Sequence, residues 1–539
     1  MMGVRMPSLS KLGVRSTWRD LAFLTLTLLA TLAPLTVSLG AEEDSQKVAS
    51  AATLAQNGKL DEAETLVWGV LTRHPDDAEA LNLLGSIRLQ QKRYAESETL
   101  LRRATSLAPN MLPAYINLAR LFHAQEDSDK EVAALLDASR LAPSNAEVNC
   151  GLAAVYLKQN DYHQALGALE QIPRTHRPDN ALPLLAASYL GLGRITEARS
   201  LAPAIAARAA KDPGLRVQFA EVLLDFNLTN DAVAILESAQ KQQRPTAELY
   251  FALGRARERQ GELALAEKDF RQALQLNSSS VNALQELAHV LSTQGHWEKS
   301  LELLRRARSS EPNSPDVLRK FAATSLRAGH PSDAVDAAQQ LVKLRPNEPE
   351  ALYLLGVAQL QNGDSEEARA TLESYTKLHP HDALAFLALA MADTGLHNSP
   401  AAEANLQESI KLDPNQAEPY YQLALIFRDQ GDNPAAITQL EKAIAVNNQY
   451  APAHAVLGTL YLLQQEYGKA QEHLMRAANL APDTPDTHYQ LGLLFARLNQ
   501  RDRAQREMEQ FRKLKDKGHS GGTPPGDRPA ASPPPFPPS

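Results

Sequence analysis

Large apolar, small and turn-forming residues return along this chain at one fixed distance. From Asp44 to Gly518 the same frame recurs, with repeats starting at Asp44, Ala78, Leu112, Ala146, Asp179, Pro213, Ala247, Val281, Pro315, Pro349, Ala383, Ala417, Ala451 and Pro485. That makes fourteen repeats, thirteen of 34 residues and one of 33. Position 7 is Leu or Phe in thirteen of them, as in Leu84, Phe219, Leu253 and Leu491. Position 8 is Gly or Ala in all fourteen, and position 20 is Ala in eleven and Ser at Ser97 and Ser300, with Glu131 the exception. A large knob beside two small residues is what two helices need to cross closely. Position 15 is Gly in seven repeats and Asn at Asn160, Asn227 and Asn499, residues that tolerate the left-handed conformation ending a helix. Position 32 is Pro in eight, where a second helix must stop. Pro331, Pro400 and Pro434 stand at the starts of second helices, where a missing N–H costs little. Each repeat therefore reads as a helix–turn–helix hairpin.

The defects in the pattern also carry information. The first repeat has Lys47 and Ser50 where Leu is expected, and the last second helix, Arg501 to Lys517, has seven basic and four acidic residues around a thin apolar stripe of Ala504, Met508, Phe511 and Leu514. These read as end caps of a stacked array. Pro173, Pro178, Pro183 and Pro203 interrupt repeats four and five, so residues 172–213 are expected to be irregular and weakly coupled to their neighbours. The tail, 519–539, is Gly- and then Pro-rich and is expected to be disordered or polyproline-like.

The pattern resembles the tetratricopeptide repeat family, whose period and small–large frame match over residues 44–518. The resemblance implies an all-α, right-handed solenoid without catalytic machinery. It also implies an inner groove lined by first helices, mainly at positions 2, 5, 6, 9, 12 and 13. The family's carboxylate clamp calls for Lys and Asn at set positions, but Asn82, Ser86, Asn117, Glu147 and Gly151 occupy such a triplet here, so chaperone-tail recognition is not expected. A position-6 Asn ladder, as in sugar-transferase repeats, is missing too, since Asn117 is its only member. The groove positions hold Arg255, Arg259, Arg319, Lys320 and Arg327, mixed with Glu248, Glu258 and Asp316, and the position-5 aromatics Phe251, Tyr353, Tyr421 and Tyr489. One reading makes the rings anchors for an extended peptide and the cations a clasp for its acidic part. The other makes the rings packing residues and the charges a solvated surface.

The N-terminus adds an address. Arg5, Lys11, Arg15 and Arg19 precede an uncharged apolar run, Leu21 to Leu39, and Glu42, Glu43 and Asp44 follow it. Small residues at Ser38 and Gly40 suit signal-peptidase cleavage after Gly40, so residues 1–40 read as a signal peptide. The alternative is an uncleaved inner-membrane anchor over 21–39, close to the minimum length for a span. Either way the charge asymmetry places the rest outside the cytoplasm, in the periplasm or beyond.

Composition and motif searches narrow the chemistry. The 539 residues carry 55 basic and 63 acidic side chains; without residues 1–40 these become 51 and 62, net −11, which opposes nucleic-acid binding. The single cysteine, Cys150, excludes a disulfide framework. Gly518-His519-Ser520-Gly521-Gly522 matches a hydrolase string but lacks the required strand before it and helix after it. His379 and His381 straddle a repeat junction and read as solvent-facing, and no cofactor or metal is expected. The function expected is a non-catalytic exported scaffold for other proteins or extended peptides, in bacterial envelope assembly, secretion or polymer export. The alternative is an accessory repeat region acting with a separate glycosyltransferase chain.

Overall fold

The computed structural model describes residues 39–519, apart from 210, 211, 213, 243, 244 and 347. The signal-peptide and tail readings fall outside these residues, except that Leu39 and Gly40 begin the helix Leu39–Gln56 and His519 ends the helix Arg501–His519. Among the described residues there are helices and turns but no strand.

A regular repeat places its first helix at positions 1–13 and its second at 17–30, as in Ala247–Arg259 and Leu263–Leu276. Reversing the chain between them needs a left-handed residue, and position 15 supplies it in every repeat. The seven glycines have positive φ there, and so do Lys92, Glu126, Asn160, Asn227, His397, Gln465 and Asn499. The next N–H then turns back to the carbonyl of position 11, Arg93 to Arg88 at 2.8 Å and Glu262 to Arg257 at 2.9 Å. This closes the helix end in a Schellman-type arrangement.

The two helices of a repeat meet at the small residues. A Cβ added at Gly254 would lie 2.6 Å from the Phe270 ring, and one added at Gly356 would lie 2.6 Å from Leu372, so position 8 touches position 24. Where position 20 is Ser, its hydroxyl donates to the position-8 carbonyl, Ser97 to Gly85 and Ser300 to Ala288, both at 2.7 Å. Position 11 meets position 19 in Arg88–Glu96 and position 4 meets position 23 in His454–His473, so the helices run antiparallel. Glu131, the exception at position 20, is buried and meets Nδ1 of His123 at 3.1 Å, which gives the buried carboxylate a partner.

The proline-rich stretch is irregular but well packed. The second helix of repeat four is short, Tyr162–Glu170, and a 3-10 turn follows at Arg174–His176. The second helix of repeat five is split into Ile195–Arg199 and Ala202–Arg208, with Pro203 in the first turn of the latter. Pro183 is accommodated in the first turn of Ala181–Gly191, where its N–H would have had no partner. Ile172, Leu185, Ile205 and Phe219 are all buried in one apolar cluster running from Cys150 to Ala256. Arginines meet backbone carbonyls that the missing helical turns leave over: Arg177 Nε donates to Ile172 O at 3.1 Å, and Arg208 Nη1 to Arg177 O at 2.8 Å. The irregular backbone is thus held by continuous core, which the proline count alone does not suggest.

The chain divides into two compact units, one ending at Ser278 and the other beginning at Ser279. In the first, buried Arg88 joins repeats by donating to Glu64 at 2.6 Å and to Glu96 at 3.1 Å, and holds the Glu64 carboxyl down at about 2. In the second, clusters around Leu341 and Leu372, and around Leu440, Leu457 and Leu474, form the core.

The crossing and the turn make opposite demands on glycine. Gly254→Ala should cost about 1–3 kcal/mol by pressing on the Phe270 ring, whereas Gln465→Gly should gain about 0.5–1 kcal/mol by relieving a left-handed side chain. Denaturant midpoints of the two variants, shifted in opposite directions, check both.

Candidate functional site: the rows of the first helices

Within each unit, first helices of many neighbouring repeats touch one another as well as their own second helices. Residues at one position therefore form rows, and the chemistry of a row is set by what its neighbours carry. In the first unit several polar residues of these rows pair with one another. Asn117 Nδ2 donates to Asn82 Oδ1 at 2.9 Å, and Arg120 pairs with Glu147 at 2.6 Å, so the positions of a carboxylate clamp are spent on one another. Arg255 lies 3.6 Å from Glu221, position 9 against position 9. Arg259 lies 4.0 Å from Asp225, position 13 against position 13, and also donates to the Leu224 carbonyl. Burial raises the Glu221 and Asp225 carboxyls, and the two arginines oppose that rise.

The second unit tells the same story for its cations. Arg319 donates to Asp316 at 2.9 Å and also to Glu348. Arg327 lies over the Trp297 ring at 5.3 Å, a cation–π arrangement. Lys320 is half-buried and makes no ion pair among the described residues. The expected basic clasp is therefore largely neutralised within the protein.

The aromatic row divides. Tyr353 is 3% exposed and packs on Tyr375 with centroids 5.5 Å apart; Tyr421 is 6% exposed and packs on Tyr450 at 5.4 Å. Burial pushes both phenols up. These two rings are core residues and not open anchors, because second-helix or junction aromatics close over them. Leu387, at the same position in the repeat between Tyr353 and Tyr421, is itself fully buried. Phe251 is half-buried against Phe270 at 5.8 Å. Tyr489 keeps 39% of its surface exposed, with Phe511 at 5.3 Å.

Position 9 of repeats ten to fourteen was not singled out by the sequence. It reads Val357, Met391, Leu425, Thr459 and Leu493, without a charge. Val357 is buried and the other four are half-buried. Leu462 and Tyr489 flank the row, and Leu463 is 69% exposed. Of the charges near it, Arg428 and Asp429 pair with each other at 2.8 Å, and Arg497 on the last first helix is exposed. The signal lay in reading one position down successive repeats.

Cys150 is buried, which pushes its thiol up to about 12 and makes it inert. His379 stacks on Tyr375 at 4.7 Å and His381 is exposed. Among the described residues no three His, Cys, Asp or Glu side chains are arranged to hold a metal ion, and no helix is long and apolar enough to cross a membrane.

Fold and rows together define an all-helical array of two-helix repeats that presents side chains for binding. Comparison with known proteins fixes the family. Tetratricopeptide repeat profiles match residues 49–111, 217–281 and 321–383, 259–322, and 451–484, and a TPR repeat profile matches 424–465, together more than half of the chain. The chain belongs to the tetratricopeptide repeat family, whose members are typically non-catalytic scaffolds binding other proteins or peptides. A similar protein is the CTR9 homolog of Arabidopsis thaliana, 24% identical over 287 residues, which are 50% of this chain and 26% of that protein. The chain thus spans about a quarter of that relative's length. A tetratricopeptide repeat protein from Parabacteroides merdae is 19% identical with a TM-score of 0.42, covering 46% of this chain and 98% of that one. The Cut9–Hcn1 complex of the APC/C gives 13% identity and a TM-score of 0.39, with 84% and 97% covered.

The buried rings make a sharp prediction. Tyr421→Ala should cost about 3–5 kcal/mol, as aromatic truncation in a core does. Tyr353→Phe should be neutral or gain about 1 kcal/mol, since its buried hydroxyl has no partner to lose. Thermal melts of both variants decide whether these rings are packing residues.

Proposed function

We propose that this chain is a non-catalytic scaffold, exported from the cytoplasm, that holds an apolar segment of another protein against the first helices of repeats ten to fourteen. The observation that carries this is the uncharged row Val357, Met391, Leu425, Thr459 and Leu493, bordered by exposed Leu463 and Tyr489. The partly exposed apolar members, Met391, Leu425 and Leu493, lose little by giving up water and gain by meeting a partner's apolar groups. A partner held mainly by acidic groups fits less well, because Arg255, Arg259 and Arg319 already have carboxylates. Export is supported by the charge asymmetry around Leu21 to Leu39, and a cell-envelope role in assembly, secretion or polymer export follows from that address.

A partner captured from an envelope fraction allows the test. Leu463→Asp and Leu493→Asp should weaken binding at least tenfold, or about 1.4 kcal/mol, with little change in melting temperature for the exposed Leu463. Lys320→Ala should change it by less than about twofold, as surface charges commonly do. Loss of binding in Lys320→Ala with full binding in both Asp variants contradicts the apolar wall.

The address has its own test. N-terminal sequencing of the native protein should begin at Ala41; an intact Met1 on a soluble cytoplasmic product contradicts export.

A further inference from the structure

Repeats thirteen and fourteen place a histidine at position 4 and a second polar side chain at position 23, but they fill position 23 differently. In repeat thirteen His454 Nδ1 faces His473 Nδ1 at 3.0 Å, and in repeat fourteen His488 Nδ1 faces Glu507 Oε2 at 2.7 Å. In both, Nε2 of the position-4 ring reaches a backbone carbonyl six residues earlier: Asn448 O at 3.2 Å and Pro482 O at 2.8 Å. We propose that the His454–His473 contact is a proton-sensitive joint, which holds the two helices of repeat thirteen together at neutral pH and releases them on acidification.

The argument rests on donors and acceptors. A carbonyl only accepts, so Nε2 of His454 carries a hydrogen. In the neutral ring Nδ1 is then bare and must accept, and His473 Nδ1–H is its donor. One proton between the two Nδ1 atoms satisfies both rings. A second proton, on His454, sets two N–H groups against each other at 3.0 Å. His454 is buried and His473 half-buried, with Tyr461 stacked on His473 at 5.8 Å, so water has little room to relieve the conflict. In repeat fourteen the carboxylate of Glu507 accepts only, and a protonated His488 satisfies it and the carbonyl with its two N–H groups.

The charged surroundings agree. Burial lowers both His454 and His473, although the Asn448 carbonyl raises His454; Arg476 lowers His454 further, and His454 and Lys469 lower His473. Glu472 on the same helix raises both, and Glu441, from the second helix of repeat twelve, raises His473, but these are outweighed. A histidine lowered in the folded state contributes fully above its unfolded value of 6.5, and that contribution is lost as pH falls below it toward the folded value. The joint therefore loosens in the mildly acidic range where histidines act as switches. Repeat thirteen carries Leu462 and Leu463, so any effect on binding rests on the proposed wall; the joint itself does not.

Amide-exchange protection factors of the full chain, at about pH 7.5 and about pH 5.5, provide the test. In the native sequence, protection over residues 451–480 should fall relative to 383–446, by up to roughly tenfold for each ring kept neutral one unit below its free value. His473→Glu copies the pairing of repeat fourteen and should abolish the loss or reverse it. Equal protection at both pH values, or the same loss in His473→Glu, overturns the proposal. If His473→Glu does not fold, ring-proton NMR of the native chain replaces it. Coupled titration of His454 and His473 below the free-histidine range supports the joint, and two independent titrations at the ordinary value overturn it.

Discussion

The close crossing of two helices at position 8 is the constraint on which the rest of this structure depends. A glycine there lets Leu101, Phe270, Leu372 or Leu474 come down onto the facing backbone, where an added Cβ would lie only 2.6–2.7 Å from the side chain. The fixed crossing fixes the hairpin, and stacked hairpins put equal positions of successive first helices side by side. Function in such an array is a matter of rows. A residue's chemistry is read with the residue one repeat before it and one repeat after it.

This is why the electrostatic picture differs so much from a count of charges. Arg255 with Glu221 and Arg259 with Asp225 are same-position pairs between neighbouring repeats. Arg319 meets one acid on its own helix, Asp316, and another, Glu348, at the junction to the next repeat. Such pairs, partly shielded from water, hold register between repeats more than they advertise charge to a ligand. On the first helices of the second unit the position-9 row of repeats ten to fourteen carries no charge, and Leu463 and Tyr489 near it are exposed.

The fold was legible because its determinants are local and repeated. Position 8 is small in all fourteen repeats, position 20 in thirteen, and position 15 is Gly or Asn in ten. Even so, Lys92, Glu126, His397 and Gln465 adopt the left-handed turn without advertising it, because the geometry of the reversal overrides the preference of the side chain. The site was less legible for a physical reason. Tyr353, Tyr421 and Tyr489 share one position, yet Tyr375 and Tyr450 cover the first two while Tyr489 stays partly open. What covers a ring comes from a second helix or the next junction, which a single position does not report. In the proline-broken stretch the backbone departs from the pattern, and Ile172, Leu185 and Ile205 keep the core continuous, which the spacing of prolines does not report.

The central claim is that the binding surface of this scaffold is the apolar row of the second unit, and that its arginines serve the fold. The most direct measurement is the salt dependence of affinity for a captured native partner, with amide exchange mapping where that partner protects the chain. Apolar burial predicts affinity nearly constant, within about twofold, between roughly 50 mM and 500 mM salt, with protection gained over the first helices between Pro349 and Arg497. A steep fall of affinity with salt, with protection gained instead over Ala247–Arg259 or Pro315–Arg327, would contradict it.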